Sequence, residues 1–357
     1  MKYVLNLFKS KHRSILGIDI SSTSVKILEI SLSNNQYCVE NYASAVLPEN
    51  AMEGNVIKDL DAVATSIKNL VSTSHFSSKQ VACAVPDSSA ISKIIQLNSG
   101  LNEQEIEELV VSEADKYIPY PIDEINIDFN VVGPSAKNSA MLDVLIVASR
   151  AENVSSRVEV ITRAGLEPTI VDVESYAVER AAQLLTSELP AGGEKKNIAI
   201  IDIGAIYTHL FVLHGMRIIF SREEEFGGKQ LIDAVVQRYN MQRDEAILGI
   251  IQGSLPPDYT EEVLQPFNEL ILLQVKRALQ FFFSTSHHTF VDHIVLAGGV
   301  AKQPGIAQLL QEHINIPTSL ANPFGHMDIA KNVNREAITQ DSPTLMVACG
   351  LALRYVE

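Results

Sequence analysis

Asp19 ends the apolar run Ile15-Leu16-Gly17-Ile18 and is followed by Ser21, Ser22, Thr23 and Ser24, with Lys26 two residues further on. These types at this spacing suit polyphosphate. A tight turn of short hydroxylated residues exposes consecutive N–H groups, which form an anion-binding concavity. A strand-end carboxylate can anchor Mg²⁺, which keeps several waters and takes only one or two carboxylates. A lysine adds a point charge. The pattern recurs in NIAIIDIGAIYTHLFVL, with Asp202 after an apolar strand, Gly204 in the turn and a return strand behind it. Aligned without gaps, Asp19 falls on Asp202, Ser21 on Gly204 and Lys26 on His209. Two such units suggest two related domains that face each other across a nucleotide. A third part follows at Ala297-Gly298-Gly299-Val300-Ala301, where the strand 290–296 runs into a helix expected from about Pro304. Adjacent glycines let backbone approach a base or ribose, and a helix N-terminus favours anions.

The elements that position these groups read as α/β. Strand patterns cover Gln36 to Leu47, Val81 to Val85 and Pro168 to Val173, and helical spacing runs from Val56 to Val71 and onward from Glu174. Between them, from Ser89, lies a block of different texture. It holds a strand at 91–97, an acidic helix from Glu103 to Tyr117 capped by Asn102 and stopped by Pro119 and Pro121, and strands near 125–132 and 142–148. A helix from Glu152 to Ala164 closes it at Gly165. This β-α-β-β-α block reads as a subdomain of about 89–165 inserted into a first domain of 14–190, with edges suited to peptide binding. The polar Gly192-Gly193 loop separates it from a second domain, 197–357. There a strand at 216–221, a helix from about Lys229, a long helix from Glu261 to Ser284 and a final apolar helix at about 342–354 are expected, the last free to pack back on the first domain. Phe281-Phe282-Phe283 reads as core.

With 357 residues the chain exceeds a single core, and a net charge of −15 speaks against nucleic acid as a partner. Cys38, Cys83 and Cys349 lack metal spacing and fit a reduced compartment. No apolar run reaches the length of a membrane span. The opening residues set Val4, Leu5, Leu7 and Phe8 among Lys2, Lys9, Lys11 and Arg13, a pattern for weak contact with an anionic membrane or a partner, or for a frayed end.

With those residues in view, the chain resembles the actin-like ATPase superfamily. LGIDISSTSVK looks like its first phosphate motif, DIGAIYTH its second and IVLAGGVAKQPGI its adenosine motif. Within it, the chain is similar to the PilM family of type IV pilus assembly proteins over nearly its whole length. DISSTSVK, ADKYIPYPIDEI, VDVESYAVERA, EFGGKQL, LQFFF, VLAGGVA and SPTLMVACGLALR carry the likeness, IPYP and ACGLALR most specifically. The resemblance implies the actin-like (ribonuclease H-like) two-domain ATPase fold, with ATP and Mg²⁺ as cofactors. Asp19 and Asp202 would hold Mg²⁺ through water. Ser21, Ser22, Thr23, Gly204 and Ala205 would cradle the phosphates, with Lys26 and Thr208 beside them. Gly228 and Lys229 would border the nucleotide, and Gly298, Gly299 and Val300 would approach the adenosine. Glu174 and His209 are the catalytic candidates, Glu174 standing where bacterial actin homologues place a carboxylate that orients water.

Departures are Ser21 for a common glycine, Tyr207 for a frequent threonine, and Ile250-Ile251 where close relatives carry Lys-Lys. The family implies a cytoplasmic protein, peripheral at the inner membrane through its partner. It docks to the inner-membrane pilus assembly complex by gripping the N-terminal cytoplasmic peptide of PilN beside the inserted subdomain. ATP binding with at most slow hydrolysis is expected. A metabolic kinase of the superfamily would need a polar acceptor set, which no stretch offers. A division-type membrane actin would be expected to carry a linker and amphipathic helix beyond the last core helix, where this sequence has Arg354-Tyr355-Val356-Glu357.

Overall fold

Strand β1 (Leu16–Ile20) is buried along its whole length, as an apolar run between two paired neighbours must be. The computed structural model describes residues 14–135 and 138–355, so the basic-apolar opening segment lies outside the described residues. β1 pairs antiparallel with β2 (Ser24–Ser33), which turns back into β3 (Gln36–Val46). Asn34 and Asn35, at φ 51° and 62°, make that turn in the left-handed conformation a two-residue hairpin demands. The short strands β4 (Met52–Glu53) and β5 (Val56–Ile57) form a small ribbon before α1 (Leu60–Ser74). Helical spacing predicted α1 from Val56; instead the Asp59 side chain accepts from Ala62 N and starts the helix later. Parallel to β1 runs β6 (Gln80–Val85).

The inserted block contains β7 (Ala90–Asn98), α2 (Glu103–Ala114), β8 (Ile125–Pro134) and β9 (Met141–Arg150), then α3 (Ala151–Arg163). Its three strands form a separate sheet in the order β7-β9-β8. One face carries Ile95, Leu97, Val144 and Ile146 against Ile106 and Val110 of α2. The helix α2 has both halves of a capping box, Asn102 with Glu105, and stops three residues before its expected end. α3 does not belong to this block as the sequence suggested. Its buried Val160 and Ile161, with Ala164 just beyond, join Ile18, Val63 and Val81 in the core beneath the large sheet. The insert proper therefore ends at Arg150.

Strand β10 (Glu167–Val173) completes one side of the first sheet and feeds α4 (Glu174–Ala182). The second sheet is built from β11 (Asn197–Ile203), β12 (Thr208–His214) and β13 (Arg217–Glu224). Next come α5 (Gly228–Tyr239), α6 (Arg243–Gln252) and α7 (Gln265–Thr285), the last preceded by a π-helical turn at 260–264. β14 (His293–Ala297), α8 (Ile306–Ile314) and β15 (Thr318–Leu320) follow, giving the strand order β13-β12-β11-β14-β15.

The chain then crosses back. β16 (Asp328–Ile329) adds to the outer edge of β3, completing the order β10-β6-β1-β2-β3-β16, and α9 (Arg335–Asp341) leads to α10 (Met346–Ala352). The single closing helix expected at 342–354 is α10 flanked by two 3₁₀ turns, the first containing Pro343. α10 lies flush on β1 and α4: a Cβ on Gly17 would stand 2.1 Å from Ala348 O, and one on Gly350 1.7 Å from Ala177 O. A core of Leu28, Val178, Ile198, Val295, Met346 and Ala352 thus joins the two sheets.

Candidate functional site

The two Asp hairpins are copies in hydrogen bonding as well as in sequence. In the first, Asp19 sits opposite Lys26 and Ser21 N donates to Ser24 O at 2.9 Å. In the second, Asp202 sits opposite His209 and Gly204 N donates to Tyr207 O, also at 2.9 Å. Each turn leaves a consecutive pair of amides, Ser22 with Thr23 and Ala205 with Ile206, that donate to no backbone carbonyl among the described residues. Such pairs are what an oxyanion needs.

Both turns open into one cleft of about 950 Å³, a volume suited to a cofactor-sized ligand. Asp19, Ser21, Ser22, Thr23, Lys26, Glu174, Asp202, Gly204, Ala205, His209, Gly228, Gly298, Gly299 and Val300 all line it. Lys26 Nζ bridges Asp19 Oδ2 and Ser21 Oγ at 2.8 Å each, which fixes the carboxylate and cation side by side. Gly298, at φ 89°, brings its backbone onto the second hairpin; a Cβ there would lie 2.4 Å from Asp202 Oδ1. The far wall is apolar, with Ile232, Ile247, Ile250, Ile251, Tyr259 and Leu264. Ile250 and Ile251 border the cleft where the resemblance placed two lysines.

Two expected residues do not reach the ligand space. Thr208 is buried and its hydroxyl donates to Phe226 O at 2.8 Å, so it ties β12 to the loop ahead of α5. The Lys229 ammonium turns away to Asp233, one helical turn on, at 2.6 Å. Gly228 lines the cleft, yet its amide donates to Gly204 O while the amide of Lys229 donates to Ala205 O, so both brace the second phosphate turn.

At the inner end of the cleft, charge is concentrated. His209 Nε2 lies 2.8 Å from Glu223 Oε2. Burial alone would lower the pKa of His209, but that hydrogen bond and the charges of Glu174, Asp202 and Glu223 push it up to about 9, making an imidazolium. Glu174, first residue of α4, is raised to about 7, chiefly by burial, with Asp19 and Asp87 adding to the rise and His209 and Arg157 opposing it. Burial also raises Asp202.

Glu223 and Asp87 were not read from the sequence. Glu223 faces His209 only because a bulge between Val212 and Leu213 shifts the β12–β13 register; counting from His214 opposite Arg217 would have put Arg222 there. Asp87, just after β6, carries a buried Oδ2 without a hydrogen-bond partner, and burial raises its pKa. A strand ending in Pro86-Asp87 was the available signal. Glu223 Oε2 also accepts from Asn55 Nδ2 at 3.0 Å and Ser88 Oγ at 3.4 Å, both on the opposite side of the cleft.

Among the described residues no group of three or more His, Cys, Asp or Glu side chains could hold a metal by itself. Two cleft-lining carboxylates, Asp19 and Asp202, instead fit a hydrated Mg²⁺ that arrives with phosphate and keeps its waters. No helix among the described residues is long and apolar enough to cross a membrane.

A family model described as type IV pilus assembly protein PilM matches residues 17–356. The solved structure of a PilM–PilN type IV pilus biogenesis complex contains a chain similar to this one, with a TM-score of 0.80 and 26% identity over 97% of this chain and 99% of that one. The ethanolamine utilization protein EutJ from Carboxydothermus hydrogenoformans shares the fold at a TM-score of 0.58 and 15% identity, over 96% of this chain and 89% of that one. The cell division protein FtsA of Streptococcus pneumoniae serotype 2 is 23% identical over 353 residues, 86% of this chain and 75% of that protein.

Proposed function

Because the chain belongs to the family of type IV pilus assembly protein PilM and has the two-domain actin-like fold, we propose that it binds Mg-ATP in the cleft and serves pilus assembly as a nucleotide-dependent clamp. The observation that carries this reading is the pair of equivalent hairpins, each offering two unengaged amides and a strand-end carboxylate to the same space. The amide pairs bind phosphate oxygens, Lys26 neutralises their charge, and the glycine turn at 298–299 admits the nucleoside against the apolar wall. Asp19 and Asp202 are the residues that would hold a hydrated Mg²⁺, which would supply charge neutralisation for the triphosphate. Glu174 orients a water and can accept its proton when ionised, which at neutral pH is only part of the time. His209, already protonated, serves as a fixed positive charge and not as a base. Hydrolysis is accordingly slow, and binding carries the signal.

The partner is the N-terminal cytoplasmic peptide of PilN, which brings the protein to the inner-membrane assembly complex from the cytoplasm. A groove of only about 10 Å³ at the foot of the inserted sheet, lined by Ile91, Ile118, Tyr120, Ile125, Ser149 and Arg150, marks the side of the insert where we place the peptide and is itself too small to seat one. Calorimetry with Mg-ATP tests the nucleotide site. Asp19→Ala and Asp202→Ala are each expected to weaken binding at least about ten-fold, ~1.4 kcal/mol. Unchanged affinity in both variants would overturn the assignment.

A further inference from the structure

Arg157, in the middle of α3, is 2% exposed, yet its guanidinium bonds carbonyl oxygens, two from distant segments and one from its own helix a turn earlier. Nε donates to Ala84 O at 2.7 Å, Nη1 to Asn153 O at 3.3 Å and Nη2 to Asn55 O at 3.2 Å. Burying a charge without a bonded counter-ion is costly, and an apolar side chain could fill the same volume. What the arginine adds is geometry: it ties the end of β6 and the β4–β5 turn to α3.

Two of these lead to different sites. Asn55, in the β4–β5 turn, borders the cleft and reaches across it to Glu223, whose same oxygen holds His209. Asn153 follows β9 directly, and its Nδ2 lies 3.5 Å from Ser149 Oγ, which donates to Ser89 O at 2.6 Å. Ser89 and Ser149 both line the groove at the foot of the inserted sheet. A chain of polar contacts therefore runs from His209 through Glu223, Asn55, Arg157, Asn153 and Ser149 to Ser89, its longest step the 3.5 Å between Asn153 and Ser149.

We propose that Arg157 couples the cleft to the groove, so that occupancy beside His209 resets the foot of β9. The inference rests on the nucleotide reading above. Coupling of this kind needs an element whose two states both sites bias; in this proposal the Asn55–Glu223 contact is made in one state and broken in the other.

Hydrogen–deuterium exchange of the full chain, with and without Mg-ATP, tests it. In the natural sequence Mg-ATP is expected to slow exchange in 141–150 and 89–91 by about five-fold or more. Arg157→Lys keeps the charge but cannot span three carbonyls; Asn153→Ala cuts only the Asn153–Ser149 link. Both variants are expected to retain Mg-ATP affinity within about three-fold while the nucleotide-dependent slowing of 141–150 falls below about two-fold. An Arg157 that merely supports the fold would speed exchange equally with and without nucleotide, leaving the difference intact, and that result overturns the proposal. Should Arg157→Lys not fold, Asn153→Ala carries the same test. Mg-ATP binding with no change in 141–150 of the natural sequence overturns the coupling alone; absence of Mg-ATP binding overturns the nucleotide reading and the coupling with it.

Discussion

His209 and Glu174 set a pH dependence that can be worked out from their environments. His209 has a folded-state pKa of about 9 against an ordinary 6.5, so the stability it contributes is complete below 6.5 and lost as pH rises through about 9. Glu174, at about 7 against 4.5, has the same sign: its contribution is complete below 4.5 and lost as pH rises through 7. The nucleotide-free protein should therefore lose on the order of 4 kcal/mol between pH 6 and pH 9.5. Denaturant unfolding at the two pH values measures it, and His209→Gln should flatten the curve; equal stability at both would contradict the charge assignment. Glu223→Gln removes the carboxylate that holds the imidazolium. It should lower the pKa of His209 by at least about one unit in an NMR titration, since burial then meets less opposition. An unmoved titration would show that Glu223 does not hold the charge.

At the scale of elements, the inserted sheet is the separable part. Its own core closes between its strands and α2, and the paired neighbours Ala90 and Ser149 stand where it leaves and rejoins the chain. Excising 91–148 and joining those residues with a short glycine link should leave Mg-ATP affinity within about five-fold, while pull-down of the PilN N-terminal peptide is lost. Peptide retained by the folded, shortened protein would place the partner elsewhere. A deletion continued to Gly165, the boundary expected from sequence, would instead remove α3 and open the main core at Val160 and Ile161. That difference marks what the sequence could reveal. The placement of Asp19 and Asp202 beside one cleft was legible because the strand, the carboxylate and the small-residue turn occupy consecutive positions. The capping pair Asn102 and Glu105 was half legible, in that Asn102 marked where α2 starts while its end fell earlier than Tyr117. The packing of α3 was not legible, because one apolar helix face suits either neighbouring sheet. Glu223 was hidden by a bulge, and Arg157 by partners 73 and 102 residues away that are backbone carbonyls without a sequence signature. The two-residue β16 is too short for any periodicity.

Across the whole molecule, the two sheets share the core that α10 and the returning 321–353 segment build, while the two Asp turns line the cleft. Asn55 and Ser88, from the first sheet's side, bond Glu223 of the second, so the clamp we propose would alter these contacts as it opens. A ligand that favours closure shifts the population by its differential affinity, and two ligands that both favour it tighten each other by the same factor. Hydrolysis is not needed for such a clamp to report its nucleotide state. The most direct measurement is a coupled titration: affinity for the PilN N-terminal peptide without nucleotide, with Mg-ADP and with Mg-ATP, in the natural sequence and in Glu174→Gln. Tighter peptide binding with Mg-ATP by about five-fold or more, retained in Glu174→Gln, is the predicted result. Peptide affinity indifferent to nucleotide, or coupling that disappears in Glu174→Gln together with rapid ATP turnover, would contradict the clamp.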